Sequence, residues 1–213
     1  MARARLVLIG IVGSVVSLAV APLLMPSTYS WITHTTSESA AQGVQGAWVA
    51  RLGFALFGLS VMVLVTARAP TWGRWASTAH AVFGLMMVVT ATASVRPWEA
   101  GVSFDAGEDG IHSFAATAMG FAFAGGVALT SASRLQKGGR ILLLDICAVI
   151  ASVAIPLLMV AFDDSSGLLQ RVMFLVAYAW YGREGLMAFP QSSDQTSQQQ
   201  GSISSVSERQ RQS

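Results

Sequence analysis

The sequence predicts an all-α membrane protein, a bundle of six transmembrane helices with both termini cytoplasmic. Three observations predict it. Hydrophobic residues make up 53% of the 213-residue chain and charged residues only 11%, against roughly 25% charged in a soluble domain. The apolar residues gather into six runs, each close to the ~20 residues that a helix needs to cross the hydrocarbon. The charges between those runs sort by sign, basic on one side and acidic on the other. This composition excludes a free soluble enzyme, a coiled coil and a disordered chain.

The first run, residues 6–25, follows Arg3 and Arg5. It imitates a secretory signal, and Ala19-Val20-Ala21 resembles a cleavage site. Yet the run is longer than a usual signal core, and Pro22 would follow the cut, where its fixed φ fits a protease cleft poorly. It therefore reads as a retained span. The second and third runs, 47–66 and 75–94, are joined by a short link carrying Arg68 and Arg74. The fourth and fifth, 111–133 and 141–162, are separated by Arg134, Lys137 and Arg140. The sixth, 167–189, contains Arg183 and leads into a Ser- and Gln-rich stretch, 190–213, expected to be a disordered cytoplasmic tail. None of the runs alternates as a barrel wall does.

Charge sets the direction. Ten of the thirteen basic residues fall on the side of the two termini, and basic residues in short loops mark the cytoplasmic face. The expected location is the cell membrane. The outer loops, 26–46 and 95–110, hold Tyr29, Trp31 and His34 in the first, and Trp98 with several acids in the second. All six tryptophans, at 31, 48, 72, 75, 98 and 180, stand near expected span ends and read as an interfacial belt. Cys147, the single cysteine, reads as a packed hydrophobe. Small residues at helical spacing, Ala118, Ala122 and Gly126, read as close helix contacts. Gly53-Phe-Ala-Leu-Phe-Gly58 resembles Gly120-Phe-Ala-Phe-Ala-Gly125, as if helical hairpins of one design were repeated.

Ionisable groups inside a membrane are costly and mark function by default. An outer set comprises Arg51, Asp109, His112 and Arg171, at the entrances of spans two, four and six. If these groups converge, they outline a polar pocket that suits an anionic headgroup, because Arg grips phosphate with a bidentate fork. The alternative is that they pair with outer acids and tie helix ends together. An inner set comprises His80, Asp145, Arg183 and Glu184. Asp145 lies about 6–8 Å inside span five, within reach of Arg140 or Arg183. His80 and His112 fall toward opposite leaflets, so no shared metal is expected, and no cofactor motif is present.

Several segments carry a family resemblance. They are Tyr29-Ser-Trp-Ile-Thr-His34, Ala50-Arg-Leu-Gly-Phe-Ala-Leu-Phe-Gly58, the stretch from Asp109 to Gly125, and Leu169-Gln-Arg-Val-Met-Phe-Leu-Val-Ala-Tyr-Ala-Trp-Tyr181. In that order they resemble the bacterial membrane proteins grouped as domain of unknown function 998. The resemblance extends to about Phe189 and implies a six-helix envelope protein. It transfers no catalytic residue, but it does enclose Arg51, His112 and Arg171.

The functional expectation is a non-enzymatic bundle that binds a lipid or envelope component, or stabilises a partner. Membrane lipids are the expected partners, a homo-oligomer or a second membrane protein is compatible, and nucleic acid is not. A small oligomeric transporter or exporter is the first alternative. An outer-face hydrolase using His112 and Asp109 is the second.

Overall fold

The computed structural model describes residues 2–189; the stretch expected to form a disordered tail lies outside the described residues. Six helices account for the architecture: α1 Ala2–Val20, α2 Ala47–Trp72, α3 Arg74–Thr92, α4 Ala106–Gln136, α5 Leu143–Ala161 and α6 Ser166–Leu186. No strand occurs among the described residues. Five helices are long and apolar enough to cross a membrane; α6, which carries Arg171, Arg183 and Glu184, is not among them.

Helix ends differ from the expected ones for local chemical reasons. Helix α2 continues through Pro70 to Trp72 and stops at Gly73, whose φ of 85° permits the sharp turn into α3. Helix α4 begins five residues earlier than the apolar run, because the Asp105 side chain caps it by accepting from the amides of Gly107 (2.7 Å) and Glu108 (3.1 Å).

Successive helices run in opposite directions, so the bundle has two unlike ends. One end gathers the start of α1, the α2–α3 and α4–α5 links and the end of α6. It is the arginine end. The other holds the loops 25–46, 93–105 and 162–165, and is called the loop end.

The core is built by aromatic layering and close backbone contact. A Cβ on Gly58 would stand 2.5 Å from the Gly84 carbonyl, and one on Gly84 would stand 2.9 Å from the Gly58 carbonyl. Helices α2 and α3 therefore cross backbone to backbone, as small residues allow in lipid. Gly120 and Gly125 instead face open space, so the two similar Gly-x4-Gly segments occupy different environments. Phe57 lies against Tyr178 with ring centroids 4.3 Å apart and planes tilted by 32°, while Phe83 and Phe123 lie against Tyr181 at 5.0 and 5.4 Å. Ser14 of α1 donates to the Gly53 carbonyl and shares a 2.6 Å hydrogen bond with the Tyr178 hydroxyl.

The tryptophans divide. Trp31, Trp48 and Trp75 are exposed, as an interfacial belt requires. Trp72 and Trp180 are 1% and 0% exposed, which corrects their reading as anchors. Each has a carboxylate partner for its indole N–H inside the protein, the condition under which a tryptophan can be fully buried.

Candidate functional site

The arginine end contains a buried charge cluster built by the C-terminal ends of α2, α4 and α6 and the first turn of α5. Glu184 of α6 is fully buried. Its Oε2 accepts from Arg68 Nε (3.1 Å) and Nη2 (2.8 Å) and from Trp72 Nε1 (3.0 Å). Its Oε1 accepts from Arg183 Nη1 at 2.7 Å and from Arg134 Nη2 at 3.4 Å. Arg134 also donates Nη1 to Asp145 Oδ2 at 2.6 Å. Asp145 receives two further bonds, from the Leu142 amide and from Trp180 Nε1 at 2.9 Å.

Three guanidiniums thus serve two carboxylates. Arg68, Arg134 and Arg183 each sit near a helix C-terminus, where the backbone dipole favours a cation. Glu184 stands at the wrong end of that dipole, and three arginines compensate it. Asp145 pairs with Arg134 rather than with the expected Arg140 or Arg183. Arg134 leaves the last turn of α4 directly toward the first turn of α5, which brings it to the Asp145 carboxylate.

His80 sits above this cluster. Its ring lies 4.5 Å from the Trp72 ring and 4.8 Å from the Trp180 ring. Nδ1 meets the Tyr181 hydroxyl at 2.9 Å and Nε2 meets Thr130 Oγ1 at 3.2 Å. Gly126 makes the room, since a Cβ there would lie 2.7 Å from the imidazole. Of the four expected inner residues, Asp145, Arg183 and Glu184 share one hydrogen-bonded network through Arg134, and His80 packs on it through the Trp72 and Trp180 rings. Arg68, Trp72, Arg134 and Trp180 complete it, having been read only as topology markers or anchors.

The loop end is organised differently. Arg51 donates to the carbonyls of Ala40 and Ala41, both at 3.1 Å. Arg171 donates Nη1 to the carbonyls of Trp31 (2.5 Å), His34 (3.0 Å) and Gly167 (2.9 Å), and Nη2 to the Tyr29 hydroxyl (2.7 Å). The acceptors are neutral carbonyls and a hydroxyl, not the outer acids. Asp109 accepts from the Arg96 amide at 2.9 Å, and His112 Nδ1 donates to the Ala93 carbonyl at 2.8 Å. A carbonyl can only accept, so that nitrogen carries the proton. No hydrogen bond joins Arg51, Asp109, His112 and Arg171 to one another among the described residues.

Their common work is to fasten loops. The amides of Gly167 and Leu168, left without partners at the start of α6, donate to the Thr33 and Ile32 carbonyls at 3.1 and 2.9 Å. Only glycine fits at 167, because a Cβ would run into the carbonyls of His34, Ile32 and Trp31. Tyr29, His34 and Trp98 form a triangle of rings 5.2–5.4 Å apart. Burial pushes the Tyr29 phenol above its ordinary value of 10.0, against the opposing pull of Arg171.

Between the two ends lies a cavity of about 670 Å³ among α4, α5 and α6. Ala116, Gly120 and Ala124 form one wall and Ser152, Pro156 and Val160 another. Its floor is the aromatic layer of Phe57, Phe83, Phe123 and Phe174, and its polar lining at the loop end is Asp163, Ser166 and Gln170. Pro156 cannot donate to the Ser152 carbonyl one turn earlier, and both residues line the space. Phe121, Val153, Leu157 and Val160 line it too and are exposed on the flank of the bundle, so the cavity reaches the apolar outer surface. Among the described residues no group of three or more His, Cys, Asp or Glu side chains is placed to hold a metal ion.

An all-helical membrane protein is the class that these elements define, with a charge-locked end, a loop-capped end and an apolar cavity between. The family described as protein of unknown function, DUF998, has a model that matches residues 8–183. The chain belongs to that family, in agreement with its resemblance. No curated protein and no solved structure matches it.

Proposed function

We propose that the protein is a six-span, non-enzymatic bundle of the cell membrane that holds one alkyl chain of a membrane amphiphile in the cavity among α4, α5 and α6. The observation that carries this reading is the cavity. Its volume lies in the roughly 300–1,000 Å³ range of ligand sites and its lining is mostly apolar, with Asp163, Ser166 and Gln170 at the loop end and Thr117 and Ser152 along the walls. From Ser152 to Ala161 the α5 wall rises by about 14 Å at 1.5 Å per residue, close to half of the ~30 Å hydrocarbon core. A chain belonging to one leaflet matches that depth.

The orientation follows from charge. The arginine end holds Arg3, Arg5, Arg68, Arg74, Arg134, Lys137, Arg140 and Arg183, which supports a cytoplasmic placement of that end and of both termini. Helix α6, about 32 Å long by the same rise per residue, crosses as the sixth span. Its charged residues are hydrogen-bonded by protein at either end and need not face lipid. In this reading Arg51, Asp109, His112 and Arg171 fix the loop frame around the cavity mouth and do not touch the ligand.

Photolabelling tests the reading. A sugar-headed alkyl amphiphile with a diazirine near its chain terminus is added to the purified protein, illuminated and mapped by peptide mass spectrometry. Labels concentrated on residues 116–124 and 152–160 are expected. Labels spread evenly over the exposed faces of α1, α4 and α5 would contradict it.

A further inference from the structure

The charge pattern at the cavity mouth selects the headgroup. We infer that the occupant is an amphiphile with a cationic, phosphate-free head, an alkylammonium, whose charge sits at Asp163; this rests on the chain-binding reading above. Among the described residues, Asp163 is the one charged residue that lines the cavity. It lies in the short link between α5 and α6, is exposed, and makes no ion pair among the described residues.

Among the described residues no positive group is placed to take a phosphate there. Arg171 is the nearest cation in sequence, one turn into α6, but its guanidinium points into the first outer loop and is held by four neutral acceptors. Arg51 is likewise held by Ala40 and Ala41. The start of α6 would ordinarily attract an anion. Here its amides at Gly167 and Leu168 already donate to the Thr33 and Ile32 carbonyls, so that end is closed. Ser166 donates its hydroxyl to the Met159 carbonyl, and Gln170 accepts from the Ser37 amide. What remains for a ligand is the Asp163 carboxylate and the neutral Gln170 amide N–H groups; the only formal charge is negative, and an ammonium complements it.

The test compares dodecylammonium, dodecyl phosphate and phosphatidylethanolamine. Binding to the full-length protein in a sugar-headed detergent is read by native mass spectrometry. Dodecylammonium is expected to bind about fivefold more tightly than dodecyl phosphate, the scale of an exposed ion pair. Asp163→Asn should bring the two within about twofold while chain binding persists. Equal or tighter binding of the phosphate to the native protein overturns the inference, as does an unchanged preference in Asp163→Asn. Phosphatidylethanolamine binding more tightly than dodecylammonium, with the same dependence on Asp163, overturns the phosphate-free part. Gly120→Leu separates the two claims. A Cβ at Gly120 meets nothing within 4 Å and Gly120 lines the cavity, so a leucine side chain projected into that space should abolish binding of all three probes. Full retention of binding in Gly120→Leu would defeat the cavity reading itself, whatever the headgroup.

Discussion

The two ends of the bundle use arginine in opposite ways. At the arginine end, Arg68, Arg134 and Arg183 converge on two buried carboxylates, and each side chain is only 16–27% exposed. At the loop end, Arg51 and Arg171 donate to backbone carbonyls and one phenol, with no carboxylate partner among the described residues. The first arrangement locks helix to helix, joining α2, α4, α5 and α6. The second locks loop to helix and closes the start of α6. Loss of a carboxylate at the first site leaves three like charges crowded together. Loss of an arginine at the second leaves neutral carbonyls short of a donor but no crowded like charges. The cavity lies nearer the second, more replaceable, end.

The largest expected effect follows from Glu184→Gln. Removing one partner of a buried charge network costs about 3–5 kcal/mol. It should appear as a lower thermal unfolding midpoint in detergent, and Arg68→Gln in the same chain should recover part of the loss. Additive losses would mean that the two groups do not act together. Gly167→Val comes next, at about 1–3 kcal/mol. Hydrogen exchange should rise in residues 26–46 and stay unchanged around Trp72 and Trp180. A uniform rise would show that the two ends are not independent.

Arg171→Met should cost less than Glu184→Gln, at about 1–3 kcal/mol for the neutral acceptors left without a donor. Equal destabilisation by the two would erase the distinction between the ends. The smallest effect concerns pH. The folded state holds the Tyr29 phenol above its ordinary value of 10.0, so it favours the protonated form. That contribution is fully present below pH 10 and is lost as pH rises through the folded value. Stability should fall more steeply above pH 10 in the native protein than in Tyr29→Phe. Parallel curves would remove Tyr29 from the account.

Much of the helix order was legible because apolar run length and interrupting charge act locally. Asp145 and Glu184 were legible as anomalies for the same reason, being acids within or beside apolar runs. Their partners were not, since Arg68 and Glu184 are 116 residues apart and only packing brings them together. A signal did exist: two buried acids need cations, and Arg68, Arg134 and Arg183 stand at the matching helix ends. Trp72 and Trp180 misled because a tryptophan at a span end looks the same whether it faces lipid or a buried carboxylate. The outer residues were found but not their acceptors, because backbone carbonyls leave no mark in a sequence. The cavity was the least legible feature. It is a gap between helices, and the small residues that border it, Ala116, Gly120 and Ala124, look like the packing stripe of Ala118, Ala122 and Gly126.

The central claim is that this gap holds an alkyl chain, and thermal stabilisation tests it most directly. A ligand that binds only the folded state raises stability by RT ln(1 + [L]/Kd). Unfolding midpoints of the native protein and of Gly120→Leu are to be measured in a sugar-headed detergent across a dodecylammonium titration. A midpoint that climbs with concentration in the native protein and stays flat in Gly120→Leu is the predicted result. Identical curves for the two proteins would contradict it.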